Sequence, residues 1–239
     1  MNSSDESLPE RYNRLWNSAL PAIRRGAIEI DATLANRISD RRRGFRLIAQ
    51  PSLETQQRVL KFLDALKAID PEQYYYAPDS LHVTVLSLFT ATEAHERFSQ
   101  QQKEYKAAVG SAVMGTPSFE IQFNGITASS GAVMIQGFPR GDTLDRLRER
   151  LRETLQSRSL AEGLDTRYRL VTAHMTVVRF RQPLQDSSRF AEKLKEFRGI
   201  EFGSSDIEVL RLVENDWYMS PQNLKFLSDY PLNQEPSEN

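Results

Sequence analysis

The sequence predicts an α+β fold of two related lobes, and two observations indicate it. Strand-like and helix-like runs alternate through the 239 residues in the order strand–helix–strand–helix–strand–strand–helix–strand–helix–strand–strand. Two strand-like runs, residues 81–89 and 171–180, also repeat one pattern: a histidine, an apolar residue, a threonine and further apolar residues. Because one such run falls in each half of this order, each lobe is expected to contain one of them.

The N-terminal part is predicted to be a helix followed by irregular chain. Residues 1–10 are polar and contain a proline, which predicts disorder. Residues 11–38 place apolar side chains at helical spacing and then show a short strand-like alternation at Ile28 and Ile30. The basic run at 41–43 is predicted to be a solvated loop rather than a phosphate contact.

The later helices and strands are predicted from the spacing of apolar residues, and proline, glycine and serine mark their ends. Residues 45–49 predict the first main strand, and Ser52 is placed to cap a helix that Pro71 ends. The helix over 142–158 is predicted to bear Arg146, Glu149, Arg150 and Glu153 on a solvated face, and its arginines are not predicted to bind RNA. The remaining predicted elements are a helix over 91–114, a hairpin over 119–123 and 132–136, the helices over 142–158 and 186–198, and strands over 206–214 and 223–230.

Two stretches beside the repeated runs could contribute to a site. Tyr74, Tyr75 and Tyr76 precede the first run; they could stack on a base, but packing of the loop against the core explains them equally well. Arg167 and Arg169 lie in the polar loop before the second run and could bring positive charge near the site.

The repeated runs contain two of the three histidines of the chain, His82 and His174. Residues two apart on a strand share a face, so His82 lies beside Thr84, and His174 lies beside Thr176. One such histidine alone would most simply be a strand residue held by a neighbour, but the repetition favours a shared function. The third histidine, His95, is surrounded by charged residues and is predicted to be a surface residue without a role.

In these two motifs the chain resembles the 2H phosphoesterase superfamily, which includes 2′,3′-cyclic nucleotide phosphodiesterases and 2′-5′ RNA ligase-like proteins. The resemblance implies a bilobal 2H phosphoesterase-like fold with two pseudo-symmetric lobes, each with an antiparallel sheet and packed helices, and an active site in the cleft between them. It places this domain at residues 41–232, between an N-terminal extension (1–40) and a polar tail (233–239). It also implies that His82 and His174 are catalytic and that Thr84 and Thr176 bind phosphate.

The chemistry of these residue types fits that implication. An imidazole has a pKa near 6.5, so one histidine can act as a base while the other acts as an acid. Opening a cyclic phosphate requires both, on opposite sides of phosphorus, because the attacking and leaving oxygens are in line. A threonine hydroxyl can donate to a phosphoryl oxygen and is less costly to bury than a charged group. Which histidine is the base stays open at this point.

Two further positions bear on the subfamily. The second motif continues to Arg179, and a basic residue there is common in the RNA ligase-like branch. Strict alternation turns Arg179 away from His174, unless a bulge or the end of the strand turns it back. Ser87 in the first motif stands where that branch usually has a bulky apolar residue.

Composition limits the other function classes. The chain is 39% hydrophobic, contains no apolar run long enough to cross a membrane, and begins with a polar, acidic segment unlike a signal peptide. It has no cysteine, which excludes disulfides and thiol chemistry and is typical of cytoplasmic proteins. A net charge of −1 gives no global attraction to RNA, so binding would need a local patch.

The leading hypothesis is a metal-independent phosphoesterase that acts on a cyclic phosphate or a 2′-5′ linkage of a nucleotide or RNA end. It predicts no cofactor, no metal, no membrane partner and a monomeric, cytoplasmic protein. The alternatives are an RNA end-joining ligase, which runs the same chemistry in reverse, and a nucleotide- or RNA-binding module without turnover. A structural domain with two buried histidines is the remaining class.

Overall fold

Two antiparallel sheets form the centre of the structure, a computed structural model that describes residues 6–34, 40–166 and 169–233. The helices are α1 (Leu8–Arg24), α2 (Leu53–Lys67), α3 (Glu96–Ser99), α4 (Gln102–Val113), α5 (Thr143–Ser157) and α6 (Ser187–Glu196). The strands are β1 (Arg43–Ala49), β2 (Tyr74–Tyr75), β3 (Val83–Thr92), β4 (Phe119–Ser129), β5 (Ala132–Pro139), β6 (Met175–Arg179), β7 (Glu201–Ile207), β8 (Val209–Asn215) and β9 (Lys225–Pro231).

The first sheet has the strand order β3-β1-β8-β9 and the second has the order β2-β6-β5-β4-β7. All named strand pairs are antiparallel. The two histidine–threonine runs lie in different sheets, one in β3 and one in β6. The predicted α+β fold with two sheets, each holding one run, is therefore confirmed. The lobes are not consecutive halves of the chain, because the first sheet also takes its strands β8 and β9 from the C-terminal part.

Helices cover both sheets. Helices α4 and α5 pack on each other, α4 touches β9, and α5 touches β3, while α1 packs on β4 and α2 packs on β7. Their apolar faces and the inward residues of both sheets form one continuous core, in which Phe62, Phe89 and Phe123 are almost fully buried. Burial on this scale is the main stabilising contribution to a domain of this size.

Helix α1 belongs to the folded body. Ser7 and Glu10 form a capping box at its N-terminus, which satisfies amide groups that lack a helical acceptor. The helix therefore begins at Leu8, so the predicted disorder of residues 1–10 is wrong at its end; residues 1–5 lie outside the described residues. The Tyr12 hydroxyl donates to the Gly137 carbonyl oxygen at 3.1 Å, which fixes α1 to β5.

The predicted strand-like alternation at Ile28 and Ile30 does not form a strand. The segment is extended and uses single hydrogen bonds instead: the Glu29 amide donates to the Ser130 carbonyl oxygen at 2.8 Å, and the Asp31 amide donates to that of Phe180 at 3.0 Å. The basic run is also only partly a loop, because Arg43 begins β1, while Arg42 forms an ion pair with Asp40 at 2.7 Å.

Two further predictions are wrong because pairing with a strand that is distant in sequence overrides the local pattern. The helix over 91–114 is interrupted, because β3 continues to Thr92 alongside β1 and only the short α3 and then α4 follow. Strand β7 is missing from the predicted elements, since its sequence is polar and contains Gly203, but pairing with β4 buries its Phe202 and Ser205. The predicted strand over 206–214 covers only the last two residues of β7 together with most of β8.

At the C-terminus, Asn233 bridges to Pro117, and residues 234–239 of the predicted polar tail lie outside the described residues. Within the described part, none of the helices has the length and apolarity needed to span a bilayer.

Candidate active site

The cleft between the two sheets contains a cavity of about 540 Å³ that both motifs line. His82 and His174 each stand one residue before the first residue of their strand, at Val83 and Met175, rather than inside it as predicted. Thr84 lies at the second position of β3, and Thr176 lies at the second position of β6. All four predicted site residues line this one cavity, so the topology brings together the two pairs that are 92 residues apart in sequence.

Bulges in β3 and β6 bring two further residues to the same wall. In β6, Val178 pairs with Val133 and Thr176 pairs with Met134, which leaves Val177 as an extra residue. The extra residue shifts the alternation, so Arg179 lines the cavity together with Thr176. Of the two possibilities that the sequence left open for Arg179, a bulge and the end of the strand, the structure has the bulge.

Strand β3 has a matching irregularity. Ile48 pairs with Thr84 while its neighbour Leu47 pairs with Leu86, so Val85 is the extra residue and Ser87 turns toward the cavity. The fifth position after each histidine, Ser87 in one motif and Arg179 in the other, therefore faces the same space. The two motifs are related in backbone shape as well as in sequence.

The two histidines have different partners at Nδ1. His82 Nδ1 lies 2.7 Å from the Ser80 carbonyl oxygen, and a carbonyl only accepts, so Nδ1 carries the proton. His174 Nδ1 lies 2.7 Å from the Thr172 hydroxyl, which can accept or donate. The neutral His82 therefore presents an unprotonated Nε2, whereas the neutral His174 can take either tautomer.

Burial and neighbouring cations favour the neutral form of both imidazoles. Burial, with nearby cations adding to it, lowers the pKa of His82 to about 3. Burial followed by the charge of Arg148 lowers the pKa of His174 to about 4. Arg46 and Arg179 contribute to both shifts, so a cationic field surrounds the pair. An anionic group between the histidines would raise both pKa values again, because it favours the protonated form.

Three arginines surround the ring of Trp217, which lines the cavity. The guanidinium carbons of Arg42, Arg46 and Arg179 lie 5.5, 5.9 and 5.6 Å from the centre of the Trp217 ring. Arg179 Nε also donates to the Tyr76 hydroxyl at 3.0 Å. These contacts hold Arg179 at the cavity wall and were not visible in the sequence, because Trp217 is remote from both motifs.

The three tyrosines before β3 mainly pack the structure. Tyr74 donates to the Tyr218 carbonyl oxygen at 3.2 Å, and Tyr75 donates to that of Asp70 at 2.7 Å. Tyr76 alone of the three lines the cavity, where it contacts Arg179. In the loop before β6, Arg169 lines the cavity, while Arg167 lies outside the described residues.

Arg148 on α5 connects the two motifs and was missed by the sequence interpretation. Its side chain is buried, and its guanidinium donates to the carbonyl oxygens of Val85 at 2.9 Å and Thr84 at 3.2 Å. It also donates to the Thr172 carbonyl oxygen at 2.8 Å, two residues before His174. One planar group thus joins the backbone of β3 to the chain just before β6, beside the site.

A signal for Arg148 was present in the helical spacing. Arg148 follows Leu144 by four residues and adjoins Leu147, which places it at the edge of the apolar stripe rather than opposite to it. Arg152 occupies the next equivalent position and is also buried; its Nε donates to Asp165 at 2.7 Å.

A glycine permits the close approach that brings His174 to the cleft. A Cβ on Gly137 of β5 would overlap the carbonyl oxygen of Ala173. The same glycine accepts the Tyr12 hydrogen bond, so α1 is anchored beside the residue that precedes His174.

The profile described as the 2′-5′ RNA ligase superfamily matches residues 53–216. The chain belongs to the 2′-5′ RNA ligase superfamily. Membership supports a 2H phosphoesterase-type enzyme function and confirms the resemblance drawn from the two motifs. No functionally curated protein matches the sequence. The division of the chain at residues 40 and 232 stays a prediction.

Solved structures show the same fold. TT0787 of Thermus thermophilus has a TM-score of 0.59 and 16% identity, over 81% of this chain and 100% of that one. Escherichia coli LigT complexed with 3′-AMP has a TM-score of 0.57 and 15% identity, over 81% of this chain and 99% of that one. The same LigT has also been crystallised with ATP, with a TM-score of 0.53, 16% identity and the same coverage of both chains. At these identities the likeness concerns the fold alone.

Replacing Arg148 should disturb the site through both motifs. Arg148→Met leaves three buried carbonyl oxygens without this donor, and we expect unfolding free energy to fall by about 2–4 kcal/mol. Turnover should fall well beyond the loss of folded protein, and the pKa of His174 should rise because a neighbouring cation is gone. Chemical denaturation, together with the pH profile of kcat/KM once a substrate is known, measures these effects. Arg146→Met on the exposed face of α5 is the matched control. Equal effects of the two substitutions would contradict a positioning role.

The depressed histidine pKa values should make the protein sensitive to mild acid. Between about pH 6.5 and the folded pKa values, the unfolded chain binds protons that the native His82 and His174 do not. The free energy of unfolding should therefore fall as pH decreases from about 6.5. Urea unfolding at pH 7 and pH 5 measures the slope. The double variant His82→Asn/His174→Asn should lose less stability over that interval, and an unchanged loss would contradict the assignment.

Proposed function

We propose that this protein is a metal-independent phosphoesterase that hydrolyses a cyclic phosphate or a 2′-5′ phosphodiester of a nucleotide or RNA end. The observation that carries the proposal is the arrangement of His82 with Thr84 and of His174 with Thr176 on two different sheets around one cavity. Arg46 and Arg179 add positive charge to the same cavity, which suits an anionic substrate.

The reaction needs one proton removed and one proton supplied. Water attacks phosphorus while the basic imidazole takes its proton, and the bond between phosphorus and the leaving ribose oxygen breaks in line with the attack. The acidic imidazole donates a proton to that oxygen, so a cyclic phosphate becomes a phosphomonoester with a free hydroxyl. Thr84 and Thr176 donate to the non-bridging oxygens, where negative charge increases in the transition state.

In this proposal His82 is the acid and His174 is the base in the hydrolytic direction. Burial lowers the pKa of His82, but the Ser80 carbonyl oxygen, which accepts from Nδ1, acts in the opposite direction and favours the imidazolium that an acid must reach when the phosphate is bound. His174 has a hydroxyl partner, which favours the charged form less and leaves a neutral base. Both assignments exchange when the reaction runs toward ligation.

The chemistry of the site and the solved structures of the same fold support this substrate class. LigT, which has the same fold, has been crystallised with 3′-AMP and with ATP, and this supports the proposal that a nucleotide binds in the cleft of this protein. The alternatives are end joining by the reverse reaction and binding without turnover. Hydrolysis in the presence of EDTA supports the esterase, joining of RNA ends supports the ligase, and tight binding without either supports the module. The monomeric state and cytoplasmic location stay predictions.

Replacing the motif histidines and replacing the motif threonines should impair the protein in different ways. His82→Ala or His174→Ala should remove nearly all turnover of a nucleoside 2′,3′-cyclic phosphate in EDTA and leave product binding largely intact, because imidazoles act mainly in the transition state. Thr84→Val or Thr176→Val should lower kcat by roughly ten- to a thousand-fold and weaken product binding, because a hydroxyl contacts phosphate in both states. Thermal melts control for folding. Near-parental rates in both histidine variants would exclude this pair as the catalytic residues.

A substrate whose leaving group needs no protonation should distinguish the role of one histidine from that of the other. A p-nitrophenyl phosphodiester of a nucleoside releases a stable phenolate, so its cleavage needs a base but little protonation of the leaving group. We expect His82→Ala to retain a much larger share of parental activity on this ester than on the cyclic phosphate, whereas His174→Ala should be impaired on both. Steady-state kinetics of the four combinations measures the ratio. The reverse pattern would exchange the acid and the base.

A further inference from the structure

Helix α1 forms one wall of the cavity although it precedes residues 53–216, the region that matches the superfamily. It contributes three side chains to the cavity, Arg11, Arg14 and Leu15. Charged residues from outside the matched region therefore face the same space as the two histidines. Any substrate group that reaches this wall meets two guanidinium groups.

The helix holds these arginines on a fixed support. Tyr12, the neighbour of Arg11, is buried, donates to the Gly137 carbonyl oxygen, and packs its ring edge-on against Phe138 with 5.5 Å between centres. The Thr127 hydroxyl donates to the Tyr12 carbonyl oxygen at 2.9 Å. At the other end of the helix, Arg24 pairs with Glu192 of α6 at 2.9 Å. A rigid element costs a ligand less ordering than a mobile segment would.

The positive charge of the cavity exceeds what a single phosphate requires. Arg46 and Arg179 are the cations that act on both histidines, and a cyclic phosphodiester carries one negative charge. Arg11 and Arg14 belong to a separate wall and are not among the charges that lower the histidine pKa values. The carboxylate that lines the cavity, Asp165, is engaged by Arg152 at 2.7 Å and does not offset them.

An anion already occupies this pair of arginines. Arg14 holds Glu6 with two hydrogen bonds, Nε to Oε1 at 2.8 Å and Nη2 to Oε2 at 2.9 Å, and Arg11 Nε lies 3.7 Å from the same carboxylate. A guanidinium that binds a carboxylate through two parallel bonds offers the same geometry to two phosphate oxygens. Glu6 thus marks the position and orientation of an oxyanion on α1.

We propose that Arg11 and Arg14 form a second phosphate subsite, which binds a phosphate other than the one that is cleaved. This inference rests on the proposed function and narrows it: the substrate is a nucleotide or RNA end that carries at least two phosphate groups. For a 2′,3′-cyclic phosphate the second group is the one on the 5′ oxygen. The incoming phosphate replaces the Glu6 carboxylate, which returns when product leaves.

Binding measurements test the subsite independently of turnover. Isothermal titration calorimetry compares adenosine 3′-monophosphate with adenosine 3′,5′-bisphosphate, which differ only in the 5′ phosphate. We expect the parent protein to bind the bisphosphate roughly ten-fold or more tightly, a difference typical of one charge-assisted contact. The preference should be lost in Arg11→Gln/Arg14→Gln and should weaken with added salt. Arg25→Gln, an exposed arginine just past the end of the same helix, should keep the parental preference.

Two further arms complete the experiment. Glu6→Gln removes the competing carboxylate and should increase the preference; a preference that stays equal or falls contradicts the exchange. Turnover of adenosine 2′,3′-cyclic phosphate with and without a 5′ phosphate tests the proposed function separately, because failure of catalysis leaves the binding comparison intact. The subsite is excluded if the parent protein shows no preference for the bisphosphate or if the double variant retains it.

Discussion

The Arg148 guanidinium, which donates to carbonyl oxygens on both motif segments, is the interaction on which the site depends. The relative position of His82 and His174 depends on a rigid connection between β3 and the chain before β6, and Arg148 makes that connection. A buried guanidinium supplies it because it is planar, always charged and able to donate in several directions at once. The same charge lies beside His174 and favours its neutral form, so the connection also sets the electrostatics of the cleft.

The sequence predicted the parts of the site that depend on local alternation. His82 with Thr84 and His174 with Thr176 could be identified because residues two apart share a face of a strand. Ser87 and Arg179 could not be placed by that rule, because an extra residue in each strand changes the face on which the following residues lie. Such bulges arise from pairing with β1 and β5, and their positions are not encoded in the alternation of either strand alone.

The parts of the fold that the sequence missed are those in which a partner overrides local preference. Strand β7 is polar and contains a glycine, yet it is a strand because β4 offers it a ladder of hydrogen bonds. Arg148 was not singled out in the sequence, because only the approach of β3 and of the chain before β6 to α5 gives its buried guanidinium acceptors. The net charge of −1 likewise gave no indication of a cationic cavity, because it does not show that the guanidinium groups of Arg11, Arg46 and Arg179 are concentrated around one cavity.

The order of strands in the first sheet bears on how the protein matures during synthesis. Strand β1 lies between β3 and β8, and β8 is followed on the outside by β9, near the end of the chain. While the ribosome is still translating the middle of the message, β1 and β3 can pair but one long edge of β1 stays open. Open edges are templates for association with other chains. A nascent or prematurely terminated chain is therefore exposed to aggregation until β8 has emerged, and the cleft between the sheets is completed only after β8 and Trp217 have been made.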